Sequence, residues 1–285
     1  MRDRASQAEG RARFSVLLPV YHRDQPAFLR RAFDSVTVEQ SLPPDEVVVV
    51  RDGPVGPELA ALLSELATTS PVPVVVVELP KNIGLARALE EGLGRCTHEI
   101  VARMDADDIS RPERFGVQVP LVAAGVDIVG SAIEEFGDEG RVQDARAVVR
   151  TPPLSAQEIA AAARFHSPFN HPSVVYRRSA VVAAGGYQDL PLMEDYWLFV
   201  RMLHNGAVAM NVPDPLVLYR VGAGAYARRG GRQLLRSELA LQWRMWRTGF
   251  SSTPQLVRNS FVRGGYRLVP EPLRRRMYRW WVLVR

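Results

Sequence analysis

The first regular stretch is an almost unbroken apolar run, Phe14-Ser15-Val16-Leu17-Leu18-Pro19-Val20-Tyr21. A strand with one wet face would alternate, so this run reads as a strand buried on both faces. Phe28, Leu29, Ala32, Phe33 and Val36 follow at helical spacing. Glu46 to Gly53, with four consecutive valines, reads as a second buried strand closed by an Asp52-Gly53 turn. Pro57 to Ala67 then reads as a helix and Val72 to Leu79 as a third strand. A Lys81-Asn82-Ile83-Gly84 turn opens a helix from Leu85 to Leu93, and Glu99 to Met104 forms a fourth strand. This alternation predicts an α/β fold: a Rossmann-like open, mostly parallel sheet with helices on both faces. Ligands bind such sheets at the carboxyl ends of the strands. Tyr21, Asp52, Asn82 and Asp105 all fall just past strand ends, which places them on one rim.

The second half is less regular. A helix is expected to continue through Gln118 to Ala124, with a strand from Asp127 to Phe136 and a mobile polar excursion from Gly137 to Pro153. Ala156 to Phe165 reads as an alanine-rich helix, and a proline-bounded loop, Ser167 to Pro172, leads to a strand at Ser173 to Tyr176. Met193-Glu194-Asp195 leads into a helix, and Val208 to Tyr219 returns as strand and turn. Without repeats or a low-complexity linker, the pattern fits two lobes on one continuous sheet: residues 14–110 and 111–220. A polar extension (1–13) precedes them, and a basic C-terminal segment with helical character (221–285) follows.

Composition changes this picture little. At 285 residues, 47% hydrophobic and 24% charged, the chain has ample material for a core. Its single cysteine, Cys96, excludes an intramolecular disulfide framework and suits a reducing compartment. The first thirteen residues lack an apolar signal region, and no apolar run reaches membrane-spanning length. A cytoplasmic protein is therefore expected.

Charge changes it more. Residues 221–285 carry fourteen arginines against Glu238 and Glu271, so the rest of a chain with net charge +5 is acidic. From Leu256 to Arg285, arginines interleave with Phe261, Tyr266, Leu268, Met277, Tyr278, Trp280 and Trp281. A basic amphipathic segment with tryptophan suits an anionic membrane surface. Packing against the body or a second subunit is the alternative. Nucleic acid is not expected, because no recognition motif accompanies the charge.

The chemistry concentrates in the acidic turn Asp105-Ala106-Asp107-Asp108. Three carboxylates within four residues repel one another unless a cation lies between them, and hard divalent ions prefer carboxylate oxygen. Equally, Asp108 or Ser110 would serve as a helix N-cap ahead of Pro112. No His-Glu-x-x-His or Cys/His cluster points to zinc.

Read in order, Ser15 to Tyr21, Asp52-Gly53, Asn82-Ile83-Gly84-Leu85, Asp105-Ala106-Asp107-Asp108 and Glu194-Asp195 resemble the motifs of a family 2 glycosyltransferase of the GT-A fold. The resemblance runs from about Phe14 to Arg232 and is nearest to bacterial enzymes of exopolysaccharide, capsule or lipopolysaccharide assembly. It implies a nucleotide-sugar donor, bound by the first half, and an acceptor, bound by the second. Asp105 and Asp107 would hold a Mn²⁺ or Mg²⁺ that bridges the donor diphosphate as a Lewis acid. Asp52 matches the position that meets the pyrimidine base, although Arg51 stands where the family usually has a second acid. Tyr21 would border the base, with Pro19 shaping the strand exit. Asn82 and Gly84 would aim backbone N–H groups at the donor, flanked by Lys81 and Arg87, or simply cap the next helix. Glu194-Asp195 resembles the family's ED motif, with Asp195 as the base that deprotonates the acceptor hydroxyl; the alternative is capping of the following helix. Asn170 and His171 fall where related enzymes contact the acceptor. Many members carry a histidine metal ligand near residue 220; this chain has none there, and Arg228 and Arg229 would instead clamp the diphosphate. The implied activity is inverting, metal-dependent transfer, with a UDP-sugar as donor and a glycan or lipid-linked hydroxyl as acceptor. A nucleotidyltransferase or a degenerate glycan-binding module remains the alternative.

Overall fold

The computed structural model describes residues 11–137, 148–221 and 231–269. Four strands, β1 (Phe14–Val20), β2 (Glu46–Arg51), β3 (Val74–Glu78) and β4 (Ile100–Arg103), alternate with helices α1 (Pro26–Val36), α2 (Pro57–Thr69) and α3 (Leu85–Arg95). They pair in parallel, in the order β3-β2-β1-β4. The valine run is the physical cause: Val47 to Val50 are all fully buried, two on each face, so β2 belongs at the sheet's interior. β3, paired only to β2, is the less buried edge.

The second half adds β5 (Ile109–Ser110), α4 (Arg114–Ala123), β6 (Ile128–Phe136), β7 (Val148–Arg150), α5 (Ala156–Ala162), β8 (Val175–Arg177), α6 (Arg178–Ala183), α7 (Glu194–His204) and β9 (Ala209–Arg220). β8 joins β4 antiparallel, β6 follows antiparallel, β9 pairs parallel with β6, and β5 closes antiparallel on β9. One sheet of nine strands results, with β7 beside β6. Its N-terminal half is parallel throughout, and the other half is mixed.

Each face has its own core. Even-numbered β1 side chains such as Val16 and Leu18 meet α1, α2 and α4, through Leu29, Phe33, Leu63 and Phe115. Leu17, Val48 and Val101 point the other way, onto Leu89 of α3 and Leu198 and Phe199 of α7. Beyond α7 lies a helical hairpin, α8 (Arg232–Arg247) and α9 (Thr253–Leu268), seated by Leu234, Leu241 and Met245 against Tyr196, Trp197 and Val200.

Several local expectations need correction. α4 starts at Arg114 with Glu113 as a cap that makes no side-chain bond, so neither Asp108 nor Ser110 caps it. The Ser110 N–H and hydroxyl instead bond Ser35 and Gln40, pinning the acidic turn to α1. The cap of α3 is Gly84, not Asn82. The polar excursion is shorter than expected, because Val148–Arg150 pair with β6; residues 138–147 lie outside the described residues, as do Arg228, Arg229 and the tail from 270.

Candidate active site

At the carboxyl ends of β1, β2 and β4 a cleft of about 560 Å³ is lined by Pro19, Tyr21, Asp52, Asn82, Gly84, Asp105, Asp107 and His171. Asp52, buried at the exit of β2, spends its carboxylate on the backbone: Oδ1 accepts from Ile83 N–H at 2.7 Å and Oδ2 from Gly84 N–H at 3.1 Å. The N–H groups expected to face a donor thus face Asp52, because a buried carboxylate must be satisfied before solvent ligands compete. Asn82 donates from Nδ2 to the Asp52 carbonyl at 3.3 Å. Gly53 lets the two turns meet. Its φ is +87°, and a Cβ there would stand 2.4 Å from Asn82 N. Arg51 pairs with Glu78 on the neighbouring strand, and Arg87 pairs with Asp189 at 2.6 Å, outside the cleft. The Ile83 and Gly84 N–H groups are thus bonded to Asp52, and Arg87 is held in an ion pair.

The acidic turn follows β4. Ligand-capable oxygens of Asp105, Asp107 and Asp108 lie within 4.8 Å of one another. Asp108 points inward: Oδ1 accepts from Arg220 N–H at 2.8 Å, while the buried Oδ2 has no partner. Burial, reinforced by Asp105 and Asp107, raises its carboxyl well above the ordinary range. Arg220 donates from Nε to the Asp107 carbonyl at 2.9 Å and packs over the Phe28 and Phe136 rings. β9 therefore fastens the turn from below. The three-carboxylate set, with one buried oxygen unsatisfied, fits a hard divalent cation.

Two groups were not singled out from sequence. Asp24 lines the cleft and accepts from Tyr21 N–H at 2.8 Å. Burial pushes its carboxyl up to about 7 against the pull of that bond, with the charges of Asp107 and Asp105 adding. Arg103, the last residue of β4, is 1% exposed and ion-paired to Asp105; its Nε and Nη1 have no hydrogen-bond partner. Burial works against its charge, but Asp105 outweighs it and holds the guanidinium protonated. The available signal was a lone arginine ending an apolar strand two residues before Asp105.

Glu194 and Asp195 form the first turn of α7, delivered across from the acidic turn. Burial and the neighbouring Asp195 push Glu194 up to about 7. Asp195 is also raised by burial, while the Tyr196 N–H and the Arg103 charge pull it back. Its side chain keeps 23% exposure, and Oδ2 lies 4.0 Å from His171 Nδ1. His171 is nearly buried, and burial plus the Arg103 charge holds it well below its usual value, so it is neutral. Its Nε2 lies 3.3 Å from the Tyr187 hydroxyl. Asn170 faces away: Nδ2 donates to the Ser131 and Arg150 carbonyls, and the residue lines a separate groove of about 760 Å³. The structure thus brings together Tyr21, Asp52, Asn82, Asp105, Asp107 and His171, sets Glu194 and Asp195 behind His171, and leaves Arg87 apart.

An acid pair raised by burial, facing a carboxylate cluster across a buried arginine, suits deprotonation of a hydroxyl beside an anionic leaving group. Comparison with known proteins agrees. The model of glycosyl transferase family 2 matches residues 15–184. A glycosyltransferase of Haemophilus influenzae is 40% identical over 93% of this chain and 97% of its own length. The amylovoran biosynthesis glycosyltransferase AmsE of Erwinia amylovora is 40% identical over 80% of this chain and 84% of its own. A UDP-Gal:alpha-D-GlcNAc-diphosphoundecaprenol beta-1,3-galactosyltransferase of Escherichia coli is 33% identical over 94% and 95%. Among solved structures, the mannosyltransferase PcManGT of Pyrobaculum calidifontis, in complex with GDP-Man and Mn²⁺, superposes with a TM-score of 0.65 at 20% identity, over 88% of this chain and 70% of that one. The fold is the expected GT-A arrangement. On the family model and these relatives, the chain belongs to glycosyl transferase family 2 and is a glycosyltransferase.

Proposed function

We propose that the protein is an inverting, metal-dependent glycosyltransferase of bacterial cell-surface polysaccharide synthesis, using a UDP-sugar. The reading is carried by the raised acids Glu194 and Asp195 set beside His171, which lines the same cleft as Asp105 and Asp107. Asp195 takes the proton of the acceptor hydroxyl as that oxygen attacks the anomeric carbon. The bond from that carbon to the diphosphate oxygen breaks, and the nucleoside diphosphate leaves with the electron pair. Asp105 and Asp107 would hold Mn²⁺ or Mg²⁺, which when bound neutralises charge on the diphosphate. No second acid is needed, unlike glycoside hydrolysis in water. Neutral His171, braced by Tyr187, orients Asp195 and excludes a competing positive charge. Tyr21 and Pro19 border the base, with Asp52 holding the Asn82–Gly84 turn that walls it.

The E. coli relative's name specifies a diphosphoundecaprenol-linked acceptor. With a lipid-linked acceptor, the enzyme would work peripherally on the cytoplasmic membrane face, with residues 256–285 toward anionic lipid. Among the described residues, no helix is long and apolar enough to cross a membrane.

The test is a panel of nucleotide sugars with Mn²⁺, Mg²⁺ or EDTA, with and without a sugar-diphosphate-lipid acceptor. Acceptor-dependent release of UDP, abolished by EDTA, is expected, with product NMR showing an inverted anomeric centre. Equal turnover in EDTA removes the metal from the reading, and retained configuration removes the single displacement.

A further inference from the structure

The hairpin α8–α9 has two unlike faces. Toward the body, Leu234, Leu241 and Met245 pack on α7, and Glu238, fully buried, is clamped by Arg263 at 2.7 Å and Arg267 at 2.9 Å. On the outward side Trp243 of α8 and Phe261 and Leu268 of α9 are 50%, 78% and 64% exposed, and Leu239 and Val257 are exposed with them. The two helices hold these residues in one ridge: a Cβ on Gly264, one turn from Phe261, would touch Leu235 at 3.3 Å and Leu239 at 3.6 Å. Trp246 bonds Thr253 at the hairpin's tip, fixing the register.

The charges around this ridge have one sign. Arg232, Arg236, Arg247 and Arg258 are exposed, and the only carboxylate between residues 231 and 269 is the buried Glu238. We propose that this ridge is a docking surface for an anionic lipid bilayer, with the aromatic and aliphatic side chains at the headgroup–acyl boundary and the arginines on lipid phosphates. The proposal rests on the membrane reading above and deepens it, by locating the seat on α8 as well as α9. Charge complementarity selects the occupant. A second copy packed ridge to ridge would oppose arginine to arginine with no exposed carboxylate in either hairpin to meet it. Nucleic acid would satisfy the arginines but leave an apolar ridge against a phosphate backbone. Arg263 of α9 also lines the separate 760 Å³ groove that contains Asn170.

Flotation of the full-length chain with phosphatidylcholine vesicles, with and without phosphatidylglycerol, tests this. Binding is expected only with phosphatidylglycerol, weakening as salt rises. Trp243→Ser/Phe261→Ser should lower partitioning at least tenfold with an unchanged melting temperature, and Arg236→Gln/Arg258→Gln should flatten the salt dependence. Partitioning of the Trp243/Phe261 variant equal to wild type would overturn the proposal, because the seat would then lie elsewhere in the chain. So would equal binding to neutral vesicles, or a concentration-dependent dimer in light scattering that the same variant abolishes. UDP release with a short water-soluble acceptor, measured on the same variants, keeps the two readings apart. Wild type that binds vesicles but releases no UDP counts against the proposed reaction alone, and variants that lose vesicle binding with transfer intact count for the ridge.

Discussion

A guanidinium with two unpartnered N–H groups is costly to bury, and Arg103 is compensated by its field rather than by a full set of bonds. It pairs with Asp105 on the donor side and lowers both Glu194 and Asp195 on the other. The charge state of the base is therefore tied to a residue it does not touch. Because burial raises the Asp195 carboxyl, the acidic limb of the transfer rate should lie above the ordinary carboxylate range, with transfer rising as the base becomes ionised. Glu194→Gln removes a neighbouring negative charge, so the acidic limb of the pH–rate profile should move to lower pH. Arg103→Met removes the positive one, and the limb should move up, with Arg103→Lys restoring part of the shift. If neither substitution moves the limb, the titrating group lies elsewhere. Asp195→Asn should reduce kcat by about 10²–10⁴ with little change in donor binding, measured by calorimetry with UDP. Sequence reasoning reached Asp105, Asp107 and the acid pair because short-range motifs carry them. It missed Arg103 because that role exists only after β4, β8 and α7 have assembled around it.

At the scale of elements, the strand–helix alternation of the first hundred residues was legible because each strand is a continuous apolar run ending in a polar turn. β5 and β7, of two and three residues, are too short to show any period. Their places are set by β9 and β6. The turn chemistry was half legible: Asp52 and Gly53 were visible, but not that the carboxylate would be consumed by Ile83 and Gly84. Gly53→Ala should cost about 1–3 kcal/mol from its positive φ alone. Its Cβ would also push Asn82 outward, so UDP affinity should fall while the core melts as one transition. In the hairpin, Glu238 holds two arginines, and their charges hold its carboxyl below the ordinary range despite burial. A depressed native pKa stabilises above the unfolded value near 4.3 and is lost as pH falls through the native one. Acid below about pH 4 should therefore loosen α8–α9. Glu238→Gln should do so at neutral pH, at about 3–5 kcal/mol in urea unfolding, by leaving buried guanidinium groups uncompensated.

At the scale of the whole molecule, the sheet explains how the acidic turn is held in place from both halves of the chain. β4 has β1 on one side, parallel, and β8 on the other, antiparallel. The acidic turn leaves from β4, and its far end, β5, is hydrogen-bonded to β9, which supplies Arg220 beneath the turn. The strands that flank the acidic turn are thus finished by partners more than 70 residues later in the chain. This has a consequence for how such an enzyme is re-engineered or diverges. Residues 111–220 cannot be exchanged as a cassette to install a new acceptor preference, because the graft would have to reproduce the backbone edges of β4 and β5 as well as its own contents. Chimeras joined at residue 110 between relatives of divergent β8 and β9 should express as insoluble or metal-insensitive protein. Replacing only the segments between the strands should keep the fold and change the acceptor. Variation in this architecture is confined to the rim, and the partition of the sheet sets that confinement.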